Sequence, residues 1–135
     1  MRSLKNQTLN KKNYEIIVVD DFSNDFSLKE IKKHKSNNIK LIENKKNLGL
    51  PASLNKGIRE AKGTLITRVD SDDWVHKDFL NILSTFLCLN KKLDAVSCDY
   101  ALTDVNENEL KVVNCLKKPI GCGIMFRILH LYELG

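Results

Sequence analysis

A chain of 135 residues with 42% hydrophobic and 29% charged residues has the length for one core and the composition of an ordinary globular domain, not of a disordered or fibrous protein. The net charge of +5 is spread over lysine pairs such as Lys11-Lys12, Lys45-Lys46 and Lys117-Lys118, with no dense basic block and no interleaved aromatics, which argues against nucleic acid. Cys88, Cys98, Cys115 and Cys122 form no Cys-x-x-Cys and read as reduced thiols, no apolar run is long enough to cross a bilayer, and no secretory signal opens the chain, so the expected compartment is the cytoplasm.

Residues 2–9 read as the tail of a helix that arrives without a cap. Residues 14–19, Tyr-Glu-Ile-Ile-Val-Val, are a short β-branched run that predicts a buried strand ending at Asp20-Asp21. Ser27-Leu28-Lys29-Glu30 has the form of a capping box and predicts a helix of about two turns running toward His34. Residues 39–42 predict a second strand, and the polar loop 43–49 leads into a helix with Pro51 in its first turn, Leu54, Ile58 and Ala61 as its buried stripe and Gly63 as its stop. Residues 64–69 form the next strand. A helix over 77–89 carries Phe79, Leu80, Ile82, Leu83, Phe86 and Leu87, enough to bury one broad face. Another strand covers 93–98, and residues 100–103 and 110–113 predict an antiparallel hairpin with a polar tip. Residues 121–126 read as a strand entering a helix that Gly135 stops. The β-α-β-α-β alternation predicts an α/β fold with a mainly parallel sheet.

The most informative stretch is Arg68-Val69-Asp70-Ser71-Asp72-Asp73-Trp74. Carboxylates this close repel one another, and a fold gains from crowding them mainly when a cation lies between them. Hard oxygen ligands suit Mg²⁺ or Mn²⁺, which share their remaining positions with water and substrate phosphates. An acidic turn capping the next helix is the plainer alternative. The pair Asp20-Asp21 occupies the same kind of place after the first strand. In open parallel sheets the carboxyl edge is where ligands bind, so both clusters are expected to face one crevice.

Three blocks in order, the first strand with Asp20-Asp21-Phe-Ser-Asn-Asp25, then Asn47-Leu-Gly-Leu-Pro-Ala-Ser-Leu-Asn-Lys-Gly through Gly63, then Arg68-Val-Asp-Ser-Asp-Asp73, resemble the amino-terminal half of a family 2 glycosyltransferase with the GT-A fold, a Rossmann-like three-layer arrangement. The resemblance implies transfer of a sugar, with inversion, from a nucleotide-diphosphate donor to an acceptor hydroxyl of a glycan or lipid-linked acceptor, assisted by Mn²⁺ or Mg²⁺. It implies that Asp21 contacts the base with Asp20 supporting the loop beside it, that Asp70 reaches toward the ribose, that Ser71 belongs to the nucleotide-sugar site, and that Asp72 ligates the metal. Asn47 and Gly49 would form the loop near the donor and Asn55 would pin it, while Lys56 and Arg59 read as surface charges. Bacterial surface polysaccharide synthesis is the setting it implies, in the cytoplasm with peripheral association at the inner face of the membrane.

Members of the family open with an apolar strand that lines the base pocket, and they continue into a Glu-Asp-like segment that holds the general base. On the resemblance, residues 1–135 are expected to be a partial nucleotide-sugar-binding domain that lacks that first strand and has no catalytic base of its own. Two readings follow. One is a glycosyltransferase; the alternative is a catalytically silent nucleotide-sugar-binding or partner-docking fragment. A phosphorelay receiver would share only the acidic pair after a strand.

Overall fold

The computed structural model describes residues 1–34 and 36–133. In chain order the elements are α1 (Arg2–Lys5), a 3₁₀ turn (Lys11–Asn13), β1 (Ile16–Asp20), α2 (Ser27–Lys33), β2 (Ile39–Glu43), α3 (Leu50–Glu60), β3 (Leu65–Thr67), α4 (Phe79–Leu89), β4 (Ala95–Ser97), β5 (Tyr100–Thr103), β6 (Glu109–Val113), β7 (Ile124–Arg127) and α5 (Ile128–Glu133). The predicted elements are all present as an α/β alternation. The glycine stop expected at Gly135 lies outside the described residues.

The β-branched run of β1 pairs in parallel with β2, Ile16 opposite Ile39 through to Asp20 opposite Glu43. A parallel pair needs a crossover, which α2 supplies. The capping box expected at Ser27 does not form. Phe26 is the N-cap, Asp25 Oδ1 accepts the Ser27 N–H at 2.8 Å, and the Glu30 side chain pairs with Lys33 at 2.6 Å. Asp25 takes the Ser27 N–H that the Glu30 carboxylate would accept in a capping box, Lys33 holds Glu30, and the Glu30 N–H goes to the Phe26 carbonyl, so an Asx turn stands in place of the box.

Helix α3 lies against β1, and its close approach is at Gly57, where a Cβ would sit 3.3 Å from Val19 Cγ2. The helix ends at Glu60, short of Gly63. Glu60 pairs with Lys40, and the Lys62 N–H donates to Glu15 Oε1 at 2.7 Å, which draws the chain out of the helix before the glycine is reached. Leu54, Ile58 and Ala61 are half-buried, and the buried residue of this helix is Ser53.

β7 runs between β3 and β4 and is antiparallel to both. The core forms where α4 packs on this sheet: Phe79, Leu80, Leu83 and Leu87 meet Met125 of β7, and Leu87 is 0% exposed. Ile82, Phe86 and Leu89 face outward on the same helix, so the apolar stripe is wider than the surface it covers.

Both ends of α4 are closed by side chains distant in sequence. Gln7 is buried and accepts the Leu80 N–H at 2.9 Å through Oε1, while its Nε2 donates to the His76 carbonyl at 2.9 Å. That inward turn ends the first helix at Lys5, short of Leu9. At the other end Arg127 donates from Nη2 to the Leu87 carbonyl and from Nε to the Leu93 carbonyl, both at 2.8 Å. Orphan donors and acceptors at helix ends are costly if buried unpaired, and these two residues satisfy them.

β5 and β6 form the predicted hairpin, with a register shift at Leu102/Thr103. Asp104 Oδ1 accepts the N–H groups of Asn106 and Asn108 at 2.8 and 2.9 Å across its tip. Tyr132 of α5 donates its hydroxyl to the Ile58 carbonyl of α3 at 2.9 Å, linking the two halves of the chain.

Candidate functional site

β1 delivers Asp20 and Asp21 to its carboxyl end, and the two carboxylates have different surroundings. Asp20 is 5% exposed; its Oδ2 accepts the Ser23 N–H at 3.2 Å and closes the turn in which Phe22 has a φ of 67°. Asp21 reaches forward onto the next loop. Its Oδ1 accepts the Leu48 N–H at 2.8 Å and the Asn44 side-chain amide at 2.9 Å, and its Oδ2 accepts the Gly49 N–H at 2.8 Å. Backbone donation from Leu48, followed by the Asn44 amide, holds the Asp21 carboxyl below its ordinary value of 3.8.

The loop 47–49 is therefore folded around one carboxylate. Asn47 Oδ1 also accepts the Gly49 N–H, at 3.0 Å. Gly49 has φ 81° and ψ 164°, a conformation open essentially to glycine alone, and it passes the chain directly into α3. Loop support expected of Asp20 and Asn55 is made by Asp21. Asn55 is exposed on α3, beside Ile58, Arg59, Leu131 and Tyr132, and among the described residues its side chain makes no hydrogen bond to the loop.

Two residues that the sequence reading passed over complete this cluster. Asn44, at the end of β2, is 5% exposed and bonds to Asp21, to Ser53 and to Lys56. Lys56, read as a surface charge, is half-buried, with Nζ 2.7 Å from Asn44 Oδ1. Arg59 is exposed, as expected.

The second cluster follows β3. Arg68 holds Asp70 with both arms of its guanidinium, which keeps the Asp70 carboxyl low and the Arg68 pKa high. The Asp73 N–H donates to the Asp70 carbonyl at 3.2 Å and closes a turn that leaves Ser71 and Asp72 exposed at its tip. Gly121 makes room for the guanidinium, since a Cβ there would sit 3.1 Å from Arg68 Nη1.

Pairing of β7 with β3 brings Cys122 against this turn. Ligand atoms of Asp70, Asp73 and Cys122 lie within 4.8 Å of one another, a group that takes in Asp73 but not Asp72. Burial, and then the neighbouring Asp70 and Asp73 carboxylates, push the Cys122 thiol up to about 12, so it stays protonated at neutral pH. The carboxylates of Asp70, Asp72 and Asp73 are hard oxygen donors of the kind that Mn²⁺ or Mg²⁺ takes, and the Asp72 carboxylate makes no hydrogen bond among the described residues. A protonated thiol adds nothing for such an ion. The donor chemistry thus fits a hard divalent cation.

The two clusters stand on separate sheets, and no hydrogen bond joins them among the described residues.

Comparison with known proteins places this arrangement. The model of the family "Glycosyl transferase family 2" matches residues 1–122. EpsH of Bacillus subtilis, named as a glycosyltransferase, is 40% identical over 104 residues, covering 75% of this chain and 28% of that protein. The poly(ribitol-phosphate) beta-glucosyltransferase of Bacillus spizizenii is 46% identical over 81 residues, covering 58% of this chain and 13% of that protein. Among solved structures, TarS 1-349 of S. aureus superposes with a TM-score of 0.77 at 24% identity, over 98% of this chain and 43% of that one. The mannosyltransferase PcManGT of Pyrobaculum calidifontis, solved with GDP-Man and Mn²⁺, gives 0.77 at 22% identity over 99% of this chain and 41% of that one. The chain spans less than half the length of each. With the acidic turns at the ends of β1 and β3, the GT-A fold shared with these structures and a family match over most of its length, the chain belongs to glycosyl transferase family 2.

Proposed function

We propose that the chain binds the nucleoside diphosphate of a sugar donor, within an enzyme that transfers the sugar with inversion to a hydroxyl of a glycan or surface polysaccharide. The observation that carries this reading is the loop 47–49, held by its own N–H groups on Asp21 before any ligand arrives. A site built in advance spares a ligand the cost of ordering it. In this reading Asp21, Asn47 and Gly49 serve the nucleoside side with Asp20 closing the turn beside them, Asp70 reaches toward the ribose, and Ser71 belongs to the nucleotide-sugar site, while Asn55, which makes no bond to the loop among the described residues, has no part in it. Asp72 would hold Mn²⁺ or Mg²⁺, which when bound neutralises charge that builds on the departing diphosphate. Two observations on relatives support the donor and acceptor classes: TarS has been solved with UDP and with UDP-GlcNAc, and the Bacillus spizizenii relative is named for a poly(ribitol-phosphate).

No helix among the described residues is long and apolar enough to cross a membrane. A peripheral place at the cytoplasmic membrane face belongs to the same proposal, and the net charge of +5 has the sign that an anionic lipid surface attracts.

The test is nuclear magnetic resonance of the chain with UDP and Mn²⁺. Paramagnetic broadening centred on residues 70–73, with shifts at Leu48 and Gly49 on adding UDP, is the expected result. Broadening scattered over the other surface carboxylates would overturn the assignment.

A further inference from the structure

We propose that Asn44 is the positioning residue of the nucleotide loop: it sets the orientation of the Asp21 carboxylate, and through it the loop 47–49. The proposal rests on the nucleotide-binding reading for its purpose, but its structural content stands on geometry alone. Asn44 is 5% exposed although its neighbours Glu43 and Lys45 are exposed, so the amide turns inward from the end of β2. Its main-chain N–H donates to the Asp20 carbonyl at 2.9 Å, which fixes the residue to β1. Its Nδ2 group donates to Asp21 Oδ1 at 2.9 Å and to Ser53 Oγ at 3.0 Å, and its Oδ1 accepts from Lys56 Nζ at 2.7 Å.

These partners dictate an amide. A carboxylate on one side demands a donor and an ammonium on the other demands an acceptor, and only Asn offers both at this length. Exchanging the amide oxygen and nitrogen would set oxygen against carboxylate and NH₂ against ammonium. The buried amide thus ties the ends of β1 and β2 to the first turns of α3 and leaves the Asp21 oxygens aimed at Leu48 and Gly49. Unsatisfied buried polar groups are costly, so losing the amide disturbs the carboxylate as well as the lysine.

Asn44→Asp is nearly isosteric and separates this role from mere packing. The charged groups facing position 44 are Asp21 and Asp20 at the end of β1 and Lys56 on α3. An aspartate there keeps Lys56 but repels Asp21 until a proton is shared between the two carboxylates, which then restores a donor to Asp21. The experiment follows amide hydrogen exchange at Leu48 and Gly49 without ligand, in the wild type, Asn44→Ala and Asn44→Asp, with Leu87 as an internal control. Exchange at the two loop amides is expected to quicken by about tenfold in both variants near pH 7, as for loss of one hydrogen bond to a charged group. In Asn44→Asp alone, protection should return as the pH is lowered toward 5. Unchanged loop exchange in both variants, or a loss in Asn44→Asp that ignores pH, would overturn the proposal. If Asn44→Ala fails to fold, the pH profile of Asn44→Asp decides the matter. Titration of the wild type with UDP is read separately, and absence of binding there would defeat the nucleotide reading while exchange still judges Asn44.

Discussion

Arg68 grips Asp70 through both carboxylate oxygens, Nε to Oδ1 at 2.6 Å and Nη2 to Oδ2 at 2.7 Å. A guanidinium so placed competes with a divalent cation for the same oxygens. Arg68→Ala is therefore predicted to tighten Mn²⁺ binding in the absence of nucleotide and to raise the Asp70 pKa toward its ordinary 3.8. Metal titration and a carboxyl-carbon titration by nuclear magnetic resonance check both effects. Weaker Mn²⁺ binding in the variant would mean that Arg68 orders the carboxylates for the ion rather than guarding one of them.

Acid is predicted to release the loop 47–49 before the core. The folded-state pKa of Asp21 lies below the ordinary 3.8 because the N–H of Leu48 and its companions favour the charged form. A depressed carboxylate pKa contributes stability that is complete above the unfolded value and is lost as pH falls through the folded value. Amide shifts of Leu48 and Gly49 should hold steady down to about pH 4 and then move together with the Asp21 carboxyl. Movement of these amides near neutral pH would point to a different anchor.

Gly49→Ala isolates backbone strain from crowding, because a Cβ at this position meets nothing within 4 Å while φ is 81°. The expected loss is about 1–3 kcal/mol, the range for a non-glycine residue in that region. Urea denaturation measures it. A variant as stable as the wild type would show that the loop relaxes to another backbone conformation.

The core makes a plainer prediction. Leu87, 0% exposed between α4 and the β7 sheet, should cost about 2–5 kcal/mol when cut to Ala. Leu89, 78% exposed two residues on, should change stability by no more than about 0.5 kcal/mol. Equal effects at the two positions would place the packed face of α4 elsewhere.

What the sequence made legible was local. β-branched runs abutting aspartates announced both β1 and β3 and the acidic turns beyond them, and the hairpin announced itself through its polar tip. Burial of Asn44 was hidden because it depends on α3 folding over the end of β2, which no neighbouring residue reveals. Cys122 reaches Asp70 only because β7 pairs with β3, more than fifty residues away in sequence. The capping box at Ser27 misled because Asp25 takes the Ser27 N–H while Lys33 holds Glu30, and Gln7 looked helical because its partner at Leu80 is 73 residues away. Local pattern locates strand ends and turns; side chains that tie separate elements together need the fold.

The most direct test of the central claim is isothermal titration of UDP and GDP into the chain, with and without Mn²⁺, beside the Asp72→Ala variant. Metal-dependent binding that disappears in the variant is the predicted result. Binding indifferent to Mn²⁺ and to Asp72, or none at all, would contradict a donor site built from the Asp21 loop and the 70–73 turn.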